Sequence, residues 1–296
     1  MKKIIIAGAG GMLGEAFYNE FKNDYTLTCT DIDVNESWLT YNDFRDLESY
    51  KALCHKVNPD MLIHLGAYTD LEFCEVNEEE AFKTNTTSVE NATLISNELD
   101  IPLVYISTAG IFDGQKDSYD DWDKPNPLCV YARTKYLGEE YVAKNCKRYY
   151  VFRAGWMMGG HKKDKKFIYK IINQIKAGAK ELHVVDDKNG TPTYTIDFAR
   201  NVKHVINKDL YGVYNLVCGG LTSRFEVAAE ILRILNLDSK IKLKKVNSEH
   251  FAKEYFVKRP KSERLVNKKL DLRGLNIMRD WKEALVEYLS DVNLNE

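Results

Sequence analysis

Tyr131 and Lys135 are four residues apart, so on a helix they share one face. The chain has 18 tyrosines, and the same spacing occurs a second time at Tyr18 and Lys22. Context separates the two pairs. Tyr131 follows a strand ending in Ser107-Thr108 and a long loop, so the threonine and the tyrosine face one crevice at the strand's carboxyl end. Reducing a ketone with a nicotinamide hydride leaves an alkoxide that must be protonated. A phenol does this well only if its pKa, near 10 unperturbed, is pulled down, and a nearby ammonium does that. The same lysine can hold the nicotinamide ribose, and Thr108 can hold the substrate carbonyl beside Tyr131. A surface pair beside an unrelated threonine is the alternative, and the glycine loop counts against it.

That loop is Gly8-Ala9-Gly10-Gly11-Met12-Leu13-Gly14. It follows an apolar run and opens a helical pattern, the setting a dinucleotide fingerprint requires. Gly8, Gly11 and Gly14 carry the spacing, with Met12 and Leu13 between the last two. Asp31 ends the next strand and can accept both ribose hydroxyls while repelling a 2′-phosphate. NAD, as NADH, is therefore expected in preference to NADPH. Asp33 either shares this role or is a loop acid. Asp43 and Phe44 either hold the adenine or form a surface turn.

The elements that must position these groups alternate. Strand patterns at 3–7, 26–30, 61–65, 102–107 and 148–153 are separated by helical ones, including 78–99 and 131–143. Alternation with short connections predicts an α/β fold, a Rossmann-type doubly wound parallel sheet. The second half predicts a smaller α/β substrate lobe. It has a lysine-rich loop at 159–166, an apolar stripe at 167–175, a capping box at Ser223 and Glu226, and a stripe of Trp281, Leu285, Tyr288 and Leu289. We expect a cofactor domain over 1–155, with a return segment near 190–212, and a substrate lobe over 156–296. The last stripe faces either this chain's own core or a second copy in a homodimer.

Composition narrows the function class. With 42 Lys+Arg against 44 Asp+Glu, the net charge of −2 argues against a nucleic acid polymer as partner. No apolar run approaches the roughly 20 residues of a membrane span, and the start of the chain lacks a signal peptide's long apolar core. The six cysteines and six histidines show no metal-ligand spacing, so no metal is expected. Dispersed cysteines in a chain of 296 residues suit reduced thiols and a cytoplasmic location.

Taken in order, the motifs resemble the dTDP-4-dehydrorhamnose reductase family of extended short-chain dehydrogenases/reductases. They are the glycine loop at 8–14, Ser-Thr-Ala-Gly-Ile-Phe-Asp-Gly at 107–114 and Pro-Leu-Cys-Val-Tyr-Ala-Arg-Thr-Lys at 127–135. Further on are Phe-Arg-Ala-Gly-Trp at 152–156, Asn-Gly-Thr-Pro-Thr at 189–193 and Arg-Pro-Lys-Ser-Glu-Arg-Leu at 259–265. The resemblance covers nearly the whole chain. It implies reduction of a nucleotide-activated 4-keto-6-deoxy sugar, with Thr108, Tyr131 and Lys135 catalytic. It places Leu65, Gly66 and Ala67 at the cofactor, and Thr69, Trp156, Arg259 and Arg264 at the substrate. Trp156 is then an aromatic surface or a core residue, and Arg264 forks onto a pyrophosphate or pairs at the surface. Lys162, Lys163, Lys165 and Lys166 attract phosphates or form a solvated loop. Two departures stand out. Where the family has Ser-Thr-Asp-Tyr-Val-Phe, this chain has Ala109 and Gly110. Its alanine-rich strand is here His64-Leu65-Gly66-Ala67-Tyr68-Thr69, in which His64 reads as a core residue and Tyr68 lines cofactor or substrate. A nucleotide-sugar epimerase and a non-catalytic regulatory subunit are the competing readings.

Overall fold

A computed structural model describes residues 1–160, 163–290 and 292. The first half runs β1 (Lys3–Ala7), α1 (Gly14–Phe21), β2 (Thr26–Asp31), β3 (Leu39–Tyr41), α2 (Leu47–Val57) and β4 (Met61–His64). It continues with α3 (Leu71–Val76), α4 (Glu78–Phe82), α5 (Ser88–Glu98), β5 (Leu103–Thr108), α6 (Val130–Asn145) and β6 (Tyr149–Ala154). The second half holds β7 (Trp156–Met158), α7 (Phe167–Lys176), β8 (Glu181–Val185), β9 (Asn189–Gly190), β10 (Pro192–Tyr194), α8 (Thr195–Ile206) and β11 (Gly212–Asn215). It ends with β12 (Thr222–Ser223), α9 (Arg224–Ile234), β13 (Lys242–Val246), α10 (Lys268–Leu272) and α11 (Trp281–Ser290).

Seven strands form one parallel sheet in the order β3-β2-β1-β4-β5-β6-β11. β1 is central and its Ile4, Ile5 and Ile6 are fully buried, because helices cover both faces. On one face Phe17 and Phe21 of α1 meet Phe198, Val202 and Val205 of α8; on the other, Tyr50, Val89 and Val142 pack from α2, α5 and α6. Each such side chain contributes about 1.5–3 kcal/mol of transfer free energy. The strand order reverses between β1 and β4, and ligands of such sheets bind outside the carboxyl ends at that switch point. α8 and β11 carry the chain back onto the sheet beside β6 as far as Asn215. β10 does not join it and pairs with β7.

The expected helix over 78–99 is interrupted. Lys83–Thr87 form a π turn between α4 and α5. The wider turn absorbs a residue, and Asn85 points inward there, a use to which π turns are often put near functional sites.

A second core lies in the other lobe. Ile168, Ile171 and Ile172 of α7, Val227 and Ile231 of α9, and Trp281, Leu285, Tyr288 and Leu289 of α11 form it together. The last helix thus turns its stripe toward its own chain. Ser223 and Glu226 make the reciprocal capping box at the start of α9. All six cysteines are free and buried. Among the described residues no helix is long and apolar enough to cross a membrane, and no cluster suits a metal ion.

Candidate active site

The glycine loop joins β1 to α1 at the switch point. Gly8 has φ +78°, and a Cβ there would meet the Gly66 backbone nitrogen at 2.3 Å, so the loop after β4 lies directly against it. A Cβ on Gly14 would lie 1.7 Å from the Ala9 carbonyl oxygen. On Gly11 it would meet only the Gly8 carbonyl, at 3.7 Å, which leaves the approach to the loop open. The first turn of α1 has no side-chain cap; the Gly14 N–H donates to the Gly11 carbonyl at 3.2 Å, and the helix end beyond it is open to a phosphate. Gly10, which the spacing passed over, is fixed too: its N–H donates to Asp31 Oδ2 at 2.9 Å, and Asp33 N–H donates to Oδ1 at 3.0 Å. Met12 packs against Gly160 of the opposite lobe, while Leu13 rests on the sheet core. These features fit a dinucleotide.

Asp43 and Phe44 follow β3, and both side chains have partners within the fold. The Arg45 guanidinium forks onto the Asp43 carboxylate, with its shortest bond at 2.7 Å, and holds that carboxyl below its usual range. Phe44 is buried, with its ring against Gly66 and edge-on to His64. His64 is a core residue in contact with Ser88, and burial pushes its pKa down to about 3, so the ring is neutral. Leu65 joins the sheet core, its N–H donating to the Ala7 carbonyl; Gly66 and Ala67 follow at the mouth of the switch point.

Thr108 ends β5, and Tyr131 and Lys135 lie on the first turns of α6. Thr108 Oγ1 accepts the Gly110 N–H at 3.1 Å, so its own proton is free to point away, and it bonds the Tyr131 phenol. Lys135 Nζ sits 4.2 Å from the centre of the Tyr105 ring and is nearly inaccessible. The direction expected for Tyr131 is corrected: burial raises the phenol above its ordinary value, with the Thr108 bond opposing. Burial likewise draws Lys135 down to about 7, with Glu139 opposing. Desolvation outweighs the Thr108 bond at Tyr131 and the Glu139 charge at Lys135. Glu139 lies one turn beyond Lys135 and takes the Arg153 guanidinium at 2.6 Å, both side chains being buried. By contrast, Tyr18 stacks on Trp38 with Lys22 above its ring, away from the trio.

Sequence reasoning missed Asn85, because a buried amide has no spacing signature. Its amide bonds the Tyr68 backbone at both ends and Thr134 of α6 at 3.2 Å, which ties the loop after β4 to the catalytic helix. Tyr68 lies tilted against Phe73, with ring centres 4.8 Å apart, and packs with Tyr131 around Cys74. Gly138 is needed in the same place, since a Cβ would meet the Asn85 carbonyl at 2.9 Å.

The opposite wall is assembled from distant segments. Trp156 is half-buried; the Gly190 backbone lies against its ring, and the Arg224 guanidinium lies 5.1 Å from its centre. Trp156 Nε1 donates to Glu263 at 2.8 Å. Arg259 forks onto Glu72 of α3 with two bonds of 2.7 Å. Arg264 bonds Asp117 at 2.8 Å and the Thr222 carbonyl, so it makes the surface pair and not an open fork. Thr69 accepts Lys166 Nζ at 2.9 Å across the crevice. Lys163 pairs with Glu36, and Lys165 is exposed; Lys162 lies outside the described residues. Of the expected lysine run, Lys163 and Lys166 thus go to separate partners. Arg224, another residue the sequence did not reveal, makes no ion pair among the described residues. Its Nε is buried without a hydrogen-bond partner, it also lies over Phe167, and burial lowers its pKa.

The family model for the RmlD substrate binding domain matches residues 1–294. The chain belongs to this family. RmlD-family structures superimpose over almost its whole length. A dTDP-4-dehydrorhamnose reductase from Clostridium acetobutylicum has a TM-score of 0.89 at 32% identity, covering 97% of this chain and 98% of that one. The enzyme of that name from Bacillus anthracis, in complex with NADP, has a TM-score of 0.90 at 28% identity, covering 98% and 99%. Among curated relatives, dTDP-4-dehydrorhamnose reductase of Mycobacterium tuberculosis is 27% identical over 300 residues, 98% of this chain and 93% of its own.

Proposed function

We propose that this chain reduces the keto group of a nucleotide-activated 4-keto-6-deoxy sugar at the expense of NADH, as a step in nucleotide-sugar biosynthesis. The observation that carries the reading is the convergence of Thr108, Tyr131 and Lys135 at the carboxyl end of β5, across the crevice from a glycine loop open to a pyrophosphate. Bound nicotinamide supplies the two electrons and the hydrogen that reduce the carbonyl carbon. Thr108 donates to the carbonyl oxygen and orients it toward Tyr131. Tyr131 gives its proton to that oxygen, so ketone, NADH and one proton become alcohol and NAD⁺. Lys135 holds the ribose and favours the phenolate left behind.

On the cofactor side, Gly8, Gly11, Met12, Leu13 and Gly14 cradle the pyrophosphate, and Leu65, Gly66 and Ala67 line the nicotinamide half. Phe44 backs this wall through Gly66. Asp31 takes the ribose hydroxyls. Two features support NADH over NADPH: the Asp31 carboxylate stands where a 2′-phosphate would come, and Arg45 is already matched by Asp43 and, at 3.5 Å, by Glu80. Arg224 is the residue we assign to the substrate's diphosphate, with Trp156, Thr69 and Arg259 framing it. The division into a cofactor part over 1–155, rejoined by α8 and β11, and a sugar-nucleotide part over most of 156–296 follows from the same assignment. Buried thiols and a need for NADH suit the cytoplasm.

The test is cofactor consumption by the wild-type protein with several nucleotide-linked 4-keto sugars, using NADH and NADPH in parallel. One NADH oxidised per alcohol formed is the expected result. Conversion with no net cofactor oxidation would point to an epimerase, and a preference for NADPH would contradict the role given to Asp31.

A further inference from the structure

Ala109 and Gly110 remove two side chains beside Thr108, and the space they leave is not lined by backbone alone. A Cβ built on Gly110 would lie 3.4 Å from Glu263 Oε1 and 3.5 Å from Thr108 Oγ1, so both oxygens look onto one small gap. Glu263 arrives there from the segment between β13 and α10 and is held firmly. Its N–H donates to the Asn189 carbonyl at 2.8 Å, and its Oε2 accepts Trp156 Nε1 at 2.8 Å. Its other oxygen, Oε1, makes no ion pair: among the described residues Arg259 is taken by Glu72 and Arg264 by Asp117. A carboxylate oxygen left open in a half-buried crevice is a strong acceptor awaiting a donor.

We propose that Glu263 is a specificity-determining residue whose Oε1 accepts a hydrogen bond from a hydroxyl on the ring carbon next to the reacting carbonyl. This rests on the sugar-reductase reading above. With the carbonyl oxygen on Thr108, a pyranose presents its neighbouring substituent toward the gap at Gly110. A hydroxyl suits the site better than an ammonium, because Arg224 and Lys188 already bring positive charge within reach of Glu263. A carboxylated sugar is repelled. Glu263 therefore stands in space where residues 109 and 110 supply no polar side chain, although it is distant from them in sequence.

The experiment compares kcat/KM for two nucleotide 4-keto sugars that differ only in the hydroxyl at carbon 3, present or replaced by hydrogen. It uses wild type, Glu263→Gln and Glu263→Ala, each with a pH profile. Glu263→Gln keeps the size and the bond to Trp156, so it guards against misfolding. Wild type is expected to prefer the hydroxylated sugar by about 10- to 100-fold, Glu263→Ala to bring the ratio close to one, and Glu263→Gln, whose amide NH2 can only donate to the hydroxyl, to lower it. Equal losses on both sugars with a shifted pH profile would show that Glu263 acts through the charge it imposes on Tyr131, and would overturn the proposal. Wild type that reduces both sugars equally would overturn it as well. Turnover of neither sugar by wild type would instead remove the reductase reading, and this inference with it.

Discussion

The two walls of the crevice are built by different means. On the proposed cofactor side the groups are mostly backbone: glycines at 8, 11 and 14 and the uncapped N-terminus of α1, with one carboxylate, Asp31, that fixes the loop through Gly10. They come from about 25 consecutive residues. On the proposed substrate side the groups are side chains from five separate stretches: Glu72, Trp156, Lys166, Arg224, and Arg259 with Glu263. Glu72 and Arg259 are joined by charge, and Trp156 and Glu263 by a hydrogen bond. A wall made of backbone holds one ligand shape and resists change. A wall made of paired side chains can be re-specified one residue at a time.

Substitutions on each wall sharpen this contrast. Gly14→Ala should do the most damage, because its Cβ would sit 1.7 Å from a backbone oxygen that cannot yield cheaply. NADH affinity should fall by about 100-fold or more, read by fluorescence titration, since the loop must deform. Affinity near the wild-type value would show that the loop's shape is not what binds. Arg224→Leu should act only on the other wall. Its KM for the nucleotide sugar should rise by about 10- to 100-fold while the NADH dissociation constant stays put. A parallel loss of cofactor binding would mean that the walls are not separable.

Lys135 lies between them, and its effect is on pH dependence. Its pKa is about 7 in the fold against 10.5 for the free side chain. The unfolded chain therefore binds more protons between those values, and the cost of burying the lysine is full below pH 7 and vanishes above 10.5. Lys135→Met should be more stable than wild type at pH 7, by a few kcal/mol at most, and this gain should shrink by pH 9.5. Urea unfolding at the two pH values measures it; a gain independent of pH would refute the burial account.

What could be read from the sequence divides along the same line. The glycine loop, Asp31, the strand–helix alternation and the Tyr131–Lys135 spacing are local, and each has a mechanical reason to recur at fixed spacing. Helix α6 and the parallel sheet follow from the same local patterns. Arg224 and Glu263 were not singled out although each lies beside a marked feature, the capping box at Ser223 and the 259–265 motif; they matter through Trp156 and Gly110, which are distant in sequence. Arg264 was legible as a cation, but its partner Asp117 was not. The break in the 78–99 helix was hidden for a similar reason: the π turn answers to Tyr68 and Thr134, not to its own residues. The direction of the Tyr131 shift also needed the fold, since burial is a property of packing and not of spacing.

The central claim is that Tyr131 delivers the proton to the reduced sugar. Tyr131→Phe, assayed for NADH oxidation with a nucleotide 4-keto sugar beside an NADH titration, tests it directly. Turnover lowered by about 100-fold or more with unchanged NADH affinity is the predicted result. Turnover at the wild-type rate would contradict it.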